Sequence, residues 1–487
     1  MVMRHLARFF FIVIVILLGI SMISCSKSED ILDDVQPIEN TIVDDTPSLD
    51  GLIFLEKDNA LALINDIKCD ILDSVVECFI PSMMDHKNLI PQLSFNGDKV
   101  FFNDLLYEGG LYNFDKPVSI KITKGESSKD YMLYVHTFTG LPMLWVETEY
   151  RLPIESKEEY LKASFKLVDN VATRAAGDIL NATGEIRGRG NTSWEREDIP
   201  KKQFRIKLSE KLSLLGEPAD KSWVLISNYL DKTMLRNMMA FHISSLSNLD
   251  YTPRSHFVEL ILNGHYWGTY QLCEKLKISK HRVNVGDDGF LLELDNGADR
   301  SGDPFVKTPH LPFPVCIKDP DVQTGDENYL YVQDFLNRID SILYSDDFKN
   351  PDTGWQSVID MDSFVDWYLV NEITKNIDAR FASSCYMNFI KGEKLKMGPV
   401  WDFDVAFGNR KWLDCDPEGY IILAPETSWI YRLFEDPVFV NKVKQRFTHF
   451  YEQKESLISL INSYARYLQR SVVENDNKWH VLYNEKY

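Results

Sequence analysis

Residues 396–409 read Lys-Met-Gly-Pro-Val-Trp-Asp-Phe-Asp-Val-Ala-Phe-Gly-Asn. The apolar run leads to Asp402 and Asp404, and in an extended segment residues i and i+2 point to the same side. The pattern therefore predicts two carboxylates that face one place, while the apolar side chains around them turn into the core. Close carboxylates repel each other unless a cation lies between them. Mg²⁺, which is held by one or two carboxylates and by phosphate oxygens, meets that need. The alternative is a strand end with two solvated acids.

A second segment with a chemical pattern lies upstream. Residues 184–194 form a glycine-rich turn that carries Arg187 and Arg189, and residues 201–208 form a basic strand. Alternation in this strand places Arg205 and Lys207 on one face, opposite the apolar residues. Cations around a glycine-rich turn predict a cradle for a polyphosphate. The alternative is a β-hairpin with a solvated basic face.

Hydrophobic periodicity predicts strands through most of the first half of the chain. Residues 51–141 alternate with period two, with a turn at 125–128, and predict a small β-sandwich. The strand pattern restarts at residue 142, where we place the main domain boundary. Asn263-Gly264 between two apolar runs predicts a tight hairpin turn.

The second half of the chain is predicted to be mainly helical. A first helix is predicted over 232–247, with Asp231 as its N-cap. Residues 296–328 are rich in Gly, Pro and Asp and predict a long surface loop or lid. Helices follow at 329–344 and 361–375, and the second leads through a loop that contains Asp378 to a strand and the segment 396–409.

The N-terminus predicts an exported lipoprotein. Arg4 and Arg8 precede an apolar run over 9–23, which together form a signal peptide over residues 1–24. Cys25 follows directly and resembles the lipidated cysteine of a bacterial lipobox. An uncleaved anchor and a plain signal peptide are the alternatives. Residues 25–50 are acidic, predict an extended tether, and resemble surface-export signals of Bacteroidetes lipoproteins.

The overall composition excludes some functions and favours others. A formal net charge of −20 argues against binding nucleic acid through its phosphates and favours a solvated monomer. The cysteines at positions 69, 78, 273, 316, 385 and 415 are scattered. Their spacing predicts neither a zinc site nor a disulfide framework, so we expect buried free thiols.

Five segments carry a family resemblance over residues 142–470. They are, in order, Gly-Glu-Ile-Arg-Gly-Arg-Gly-Asn-Thr-Ser-Trp, Lys-Lys-x-Phe-Arg-Ile-Lys-Leu, Ser-Leu-Leu-Gly-x-Pro-Ala-Asp-Lys-x-Trp-Val-Leu, Asn-Tyr-x-Asp-Lys-Thr-x-Leu-Arg-Asn, and Gly-Pro-Val-Trp-Asp-Phe-Asp-x-Ala-Phe-Gly-Asn. In this order they resemble the CotH kinase family, atypical protein kinases first known from bacterial spore coats. The resemblance implies an α+β fold with a two-lobed, kinase-like domain over 142–487. Separately, Phe114-Asp115-Lys116-Pro117 and the hairpin that follows resemble the immunoglobulin-like modules that precede catalytic domains in exported Bacteroidetes proteins, so an immunoglobulin-like β-sandwich is expected over 51–141.

The resemblance also implies an activity and a set of site residues. The reaction is transfer of the γ-phosphoryl group of ATP, with Mg²⁺ or Mn²⁺, to Ser or Thr hydroxyls of a cell-envelope or surface protein. Asp378 is implied to orient the acceptor hydroxyl, and Lys207 to pair with the phosphates. The implied metal ligands are Asp402, Asp404 and Asn388, and the further phosphate contacts are Arg187, Arg189 and Arg205. No Gly-x-Gly-x-x-Gly loop and no His-Arg-Asp occurs, so only Asp378 and Asp402 carry over from ordinary kinases.

The predicted location and partners follow from the same features. Lipidation at Cys25 predicts attachment to the outer membrane, with the protein either periplasmic or exposed on the cell surface. The acidity of the chain favours a protein substrate rich in Lys and Arg. The alternative to a kinase is a non-catalytic surface or coat-like protein that uses the same fold for structure or binding. A hydrolase finds no support because no Gly-x-Ser-x-Gly elbow occurs.

Overall fold

Alternation of buried and exposed side chains builds the strands of the first part of the fold. The computed structural model describes residues 46–59, 67–80, 88–137, 139, 141–168, 179–409, 417–422 and 428–482. The first strands are β1 (Ser48–Phe54), β2 (Ile67–Lys68), β3 (Asp70–Leu72), β4 (Val75–Ile80), β5 (Pro91–Asn96), β6 (Lys99–Phe102), β7 (Leu105–Leu106), β8 (Val118–Lys124) and β9 (Ser127–Thr137). One sheet has the order β2-β1-β5, and a second has the order β3-β4-β9-β8-β6-β7.

These two sheets share one hydrophobic core, which includes Phe54 of the first sheet and Phe102, Ile120 and Tyr131 of the second. The predicted hairpin is confirmed by the antiparallel pairing of β8 with β9. β4 pairs with β9 in parallel, so the second sheet is mixed. The immunoglobulin-like assignment stays a prediction, as does the boundary near residue 141.

Strand β1 starts at Ser48, inside the segment predicted as a tether. Residues 1–45 lie outside the described residues. The signal peptide, the lipidation of Cys25 and most of the tether therefore stay predictions.

The next strands form a closed barrel, which the sequence did not predict. They are β10 (Met143–Thr148), β11 (Leu161–Val168), β12 (Ile179–Arg189), β13 (Gln203–Leu212), β14 (Asp220–Ile226), β15 (Ser255–Leu262) and β16 (His265–Glu274). Around the barrel they follow the order β10-β11-β12-β13-β14-β16-β15. Parallel pairing of β10 with β15 closes it, which removes the exposed edges that an open sheet would leave.

The barrel interior is filled by apolar side chains that alternate with the polar ones. Phe204, Ile206 and Leu208 of β13 belong to this core, as the alternation predicted. The turn between β15 and β16 is Asn263-Gly264, whose φ angles of 52° and 84° are the positive values that a type I′ turn requires. The predicted hairpin is therefore confirmed.

The predicted helix over 232–247 is shorter than expected and has no N-cap at Asp231. Helix α2 spans Arg236–Ser245, and the short helix α1 (Thr192–Glu195) precedes it in the chain. Met234 has a φ of 59°, which a right-handed helix does not allow. The Asp231 carboxylate instead accepts hydrogen bonds from the backbone N–H groups of Thr233 and Arg236.

The predicted surface loop over 296–328 is wrong, because this segment contributes to a further, five-stranded sheet. The segment contains helix α3 (Ala298–Ser301) and strands β18 and β19. The strands of this sheet are β17 (Gly289–Leu294), β18 (Phe305–Val306), β19 (Val315–Asp319), β20 (Cys385–Ile390) and β21 (Lys396–Met397). Its order is β18-β19-β17-β20-β21, so β19 lies inside the sheet. Glycine and proline in this segment mark turns between short buried strands, and not one open loop.

Helices complete the core around this sheet, and the last of them packs on β16 of the barrel. They are α4 (Glu327–Leu343), α5 (Met361–Ile373), α6 (Trp429–Leu433), α7 (Pro437–Glu452), α8 (Lys454–Tyr467) and α9 (Gln469–Trp479). The predicted helices at 329–344 and 361–375 are confirmed by α4 and α5. Asp326 and Asp360 cap them by accepting from the backbone N–H groups of Tyr329 and Ser363. The mixed content of sheets and helices confirms the α+β class.

The outer face of the barrel packs directly on this helical half. Val224, Ile226 and Cys273 of the barrel belong to the same hydrophobic core as the sheet and the helices around it. Trp401 and Phe403 belong to the same core. Side chains that lie next to this contact on the outer face of the barrel are therefore close to the segment 396–409. None of the helices in the described part of the chain is long and apolar enough to span a bilayer.

The cysteines are buried free thiols, as predicted, at Cys69, Cys78, Cys273, Cys316 and Cys385. Cys415 lies outside the described residues. Burial raises the pKa of Cys316 to about 12 and that of Cys385 also to about 12, so these thiols stay protonated and unreactive.

Candidate active site

The segment 396–409 leaves its sheet before it reaches the two predicted acids. β21 ends at Met397, and Asp402 has a φ of 64°, so the acids do not lie on an extended strand. The apolar side chains Trp401, Phe403 and Val405 are nevertheless buried, and Asp402 and Asp404 are only half-buried. The separation into a buried apolar side and an acidic side is thus as predicted, although the backbone that produces it is different.

Two buried amide side chains hold the peptide group that joins Asp402 to Phe403. The N–H of Phe403 donates to Oδ1 of Asn237 over 2.9 Å, and Nδ2 of Asn376 donates to the carbonyl of Asp402 over 3.1 Å. A left-handed backbone at a residue other than glycine persists where its surroundings over-determine it. These two contacts supply that constraint, because they fix the orientation of the peptide group that follows Asp402.

Four carboxylates converge at this point, and we call Asp231, Asp378, Asp402 and Asp404 the acidic cluster. Burial raises the pKa of Asp404 well above its usual value, and the negative charges of Asp402, Asp378 and Asp231 raise it further. Two carboxylates this close cannot both be ionised at low cost. A divalent cation would remove that cost, so the donor set fits a hard ion such as Mg²⁺ or Mn²⁺.

The geometry of the acidic cluster limits how such an ion could be held. Among the described residues, no three acidic, histidine or cysteine side chains are already arranged to ligate one metal ion. A site with fewer protein ligands suits Mg²⁺, which keeps several waters and takes the rest of its ligands from substrate phosphates.

Asp378 lies in the loop that follows α5, as predicted. It belongs to the short 3-10 turn Ile377–Ala379, and its carbonyl accepts from the N–H of Ser383 over 3.2 Å. Its side chain is half-buried and close enough to Asp404 to raise the pKa of that residue. The structure therefore brings Asp378 close to Asp402 and Asp404, which lie 24 and 26 residues further along the chain.

Asp231 is a member of the cluster that the sequence interpretation missed. It is fully buried and forms an ion pair with Arg236. Nε of Arg236 also donates to the carbonyl of Ala406 over 3.0 Å. This pair thus connects the start of α2 to the chain just after Asp404. The signal in the sequence is the Asp-Lys-Thr-x-Leu-Arg-Asn part of a family segment, where the local pattern predicts a helix cap at Asp231 and not a place in the acidic cluster.

The predicted cations lie on one outer face of the barrel, because β12 and β13 pair residue by residue. Arg187 lies opposite Arg205, Glu185 opposite Lys207, and Arg189 opposite Gln203. We call Arg187, Arg189, Arg205 and Lys207 the basic face. The guanidinium carbon of Arg189 is 5.6 Å from the centre of the Trp401 ring, and Trp401 directly precedes Asp402. The basic face and the acidic cluster are therefore neighbours.

Two buried donors of the basic face are suited to bind an anion. Nε of Arg187 and Nε of Arg205 are buried, and neither has a hydrogen-bond partner in the described part of the chain. Both side chains also surround the ring of Tyr160, at 4.9 Å and 6.0 Å. Buried donors without partners are costly, and phosphate oxygens are the acceptors that arginine binds best. The donor set thus fits a polyphosphate.

Two other predicted residues lie in less suitable places. The Lys207 side chain is 56% exposed and lies 3.7 Å from Glu185, so it has both solvent and a counter-charge. Asn388 is buried in β20, and its amide donates to the carbonyl of Gly398 over 3.0 Å. These contacts do not place either side chain in the acidic cluster.

A lysine that the sequence interpretation passed over lies beside the basic face. Lys275 follows β16 directly and is half-buried. Burial, and then the charge of Arg205, lowers its pKa to about 8. Its ammonium group donates to the carbonyl of Leu276 over 3.3 Å. A lysine directly after an apolar strand was the available signal, but the sequence does not show which strands lie next to it.

Comparison with known proteins identifies the family. No curated protein matches the chain. A crystal structure of a provisionally assigned glycoside hydrolase from Bacteroides thetaiotaomicron aligns with 10% identity over 45% of this chain and 54% of its own, with a TM-score of 0.16. The chain therefore spans about half of that structure, and the likeness is too weak to inform the fold.

The family model described as CotH kinase protein matches residues 186–487, which include the basic face, Lys275 and the acidic cluster. The chain belongs to the CotH kinase family.

Proposed function

We propose that this protein is an atypical protein kinase that transfers the γ-phosphoryl group of ATP to Ser or Thr hydroxyls of a cell-envelope or surface protein. The observation that carries the proposal is the contact between Arg189 and Trp401. It places the buried Nε donors of Arg187 and Arg205, which have no partner within the described residues, beside the acidic cluster, although Nη1 of Arg187 also lies 3.5 Å from Glu158. A phosphotransferase needs both, because one set neutralises the phosphates while the other holds a metal ion and accepts a proton.

The residues of the site divide these tasks among them. When bound, ATP supplies the phosphoryl group, and Mg²⁺ or Mn²⁺ neutralises its charge. Asp402 is the metal ligand, and Asp404 braces it or shares the ion. The Asp378 carboxylate orients the acceptor hydroxyl and takes its proton. Arg187 and Arg205 donate hydrogen bonds from their unpaired Nε groups to phosphate oxygens.

The test measures phosphoryl transfer by the full chain, extracted in detergent, with labelled ATP, Mg²⁺ or Mn²⁺, and a lysine-rich peptide that contains serine. We expect Asp378→Asn to lower the rate about 10²- to 10⁴-fold, and Asp402→Ala or EDTA to abolish transfer. Asp362→Asn is the matched control, because this acid is 51% exposed and pairs with Lys442 instead. Transfer that persists in both site variants overturns the proposal. Bound acceptor without nucleotide binding would identify a non-catalytic scaffold instead.

We further propose that the protein is an outer-membrane lipoprotein, anchored through Cys25 and either periplasmic or surface-exposed. The sequence of residues 1–50 supports this location. Metabolic labelling with a radioactive fatty acid should mark the wild-type chain but not Cys25→Ala. Protease treatment of intact cells should then separate a surface-exposed protein, which is cleaved, from a periplasmic one.

A further inference from the structure

The position of Lys275 follows from the strand register of the barrel. Arg205 of β13 lies opposite Val224 of β14, and Val224 lies opposite Cys273 of β16. Alternation puts Lys275, two residues after Cys273, on the same outer face of the barrel. Between it and Arg205, β14 presents only the short side chains of Ser222 and Val224. The lysine and the arginine can therefore reach the same space.

The electrostatic surroundings of Lys275 lack the counter-charge that a half-buried ammonium group needs. The charged groups that act on it are the cations of Arg205, Lys277 and Lys318 and the carboxylate of Asp319. Its hydrogen bond goes only to a neighbouring carbonyl. Lys277, in contrast, lies 3.6 Å from Asp220. Lys318 likewise pairs with Glu293 and Asp303. Lys275 and Arg205 are therefore the cations of this group that form no ion pair within the described residues, and one phosphate group could serve both.

We propose that Lys275, and not Lys207, is the lysine that binds the phosphate groups of the nucleotide, together with Arg205 and Arg187. This inference rests on the proposed kinase function and reassigns one role within it. The Lys207 ammonium group is exposed, lies 3.7 Å from Glu185 and is 5.8 Å from the centre of the Tyr160 ring. It therefore keeps water and a counter-charge without a nucleotide, and a contact with phosphate would add little to the binding free energy. Lys275 has a desolvated charge that a phosphate would compensate, which makes its contact the stronger one.

The test compares Lys275→Met with Lys207→Met in the full chain, using calorimetric titration with Mg²⁺·ATP and with metal-free tripolyphosphate. A charge-assisted hydrogen bond to phosphate corresponds to about 10- to 100-fold in affinity. We therefore expect Lys275→Met to weaken both ligands by that factor, Lys207→Met to change either by less than about twofold, and Lys275→Arg to retain most of the affinity. Without ligand, the melting temperature of Lys275→Met should be unchanged or higher, because a repulsive charge is removed.

The outcomes separate this inference from the function on which it rests. If the wild type binds Mg²⁺·ATP and Lys275→Met binds it equally well, the inference is overturned while the kinase proposal stands. The same holds if Lys207→Met is the variant that loses affinity, or if Lys275→Met melts at a lower temperature without ligand. If the wild type binds neither ATP nor tripolyphosphate, the proposed function and the inference both fall.

Discussion

Asn237 offers the sharpest test of how the fold positions the acidic cluster. It is the second residue of α2 and is 2% exposed. Its Oδ1 accepts the 2.9 Å hydrogen bond from the N–H of Phe403, and its Nδ2 donates a longer one of 3.4 Å to Asn228. Replacing it with alanine removes the acceptor next to Asp402 without touching any carboxylate.

The expected cost follows from burial. Phe403 is fully buried, so its N–H would be left without water or another acceptor, which costs about 1–3 kcal/mol. The weaker bond to Asn228 adds little. We therefore expect Asn237→Ala to lose about 2 kcal/mol of unfolding free energy. Because Asp402 depends on this contact for its left-handed backbone, a shift of about 1 Å should lower the transfer rate about 100-fold.

Urea unfolding followed by tryptophan fluorescence, and the rate of phosphoryl transfer from labelled ATP with Mg²⁺, measure the two effects. Ser244→Ala is the matched control, since Ser244 is also buried on α2 but bonds to Thr252, away from the cluster. It should lose about 1 kcal/mol and keep wild-type transfer. The reasoning is refuted if Asn237→Ala unfolds at lower urea but transfers phosphate as fast as Ser244→Ala, because Asn237 would then stabilise the fold without positioning Asp402.

Three further predictions concern buried charges. The pKa of Asp404 is raised in the folded protein, so the wild type loses stability as the pH rises above the unfolded value of 3.8. In EDTA, Asp404→Asn should therefore unfold at a higher urea concentration than the wild type at pH 7, and at the same concentration near pH 3. A variant that is less stable than the wild type at pH 7 contradicts this. The Asp366 carboxylate is fully buried and accepts hydrogen bonds from Nε and Nη2 of Arg446 at 2.8 Å each and from the N–H of Asn248 at 2.6 Å. Asp366→Ala should therefore cost about 3–5 kcal/mol of unfolding free energy. The double variant Asp366→Leu with Arg446→Met should recover most of that loss. Burial lowers the pKa of Lys201 from 10.5 to about 7, so unfolding takes up a proton at any pH between these two pKa values. The stability of the wild type should therefore rise relative to that of Lys201→Met from pH 7 to pH 10. Urea unfolding of both proteins at several pH values measures this difference.

Local pattern was enough to predict several parts of the site. The alternation around Arg205 and Lys207 correctly separated a basic from an apolar face, because side-chain direction in a strand has a period of two whatever its neighbours are. The helix before Asp378 was predicted from its periodicity for the same reason. The five ordered segments carried the family, which depends on residue identity and not on contacts.

Features that depend on contacts between distant residues could not be predicted. The parallel pairing of β10 with β15, which closes the barrel, joins Leu144 to Leu260 and leaves no periodic signal in either strand. The loop predicted over 296–328 became a buried strand because turn residues look alike in open loops and between short strands. Asp231 was assigned to a cap because the sequence does not show that Arg236 reaches Ala406.

The sequence by itself determined the residue types of this site, the family, and the face of each strand on which the cations lie. Only the tertiary structure decided which of those residues meet. Strand order and register place Lys275 beside Arg205 and leave Lys207 paired with Glu185, and a left-handed turn at Asp402 gathers the acids. The physical reason is that periodicity is a local property of the backbone, whereas burial and charge compensation depend on which distant segments pack together.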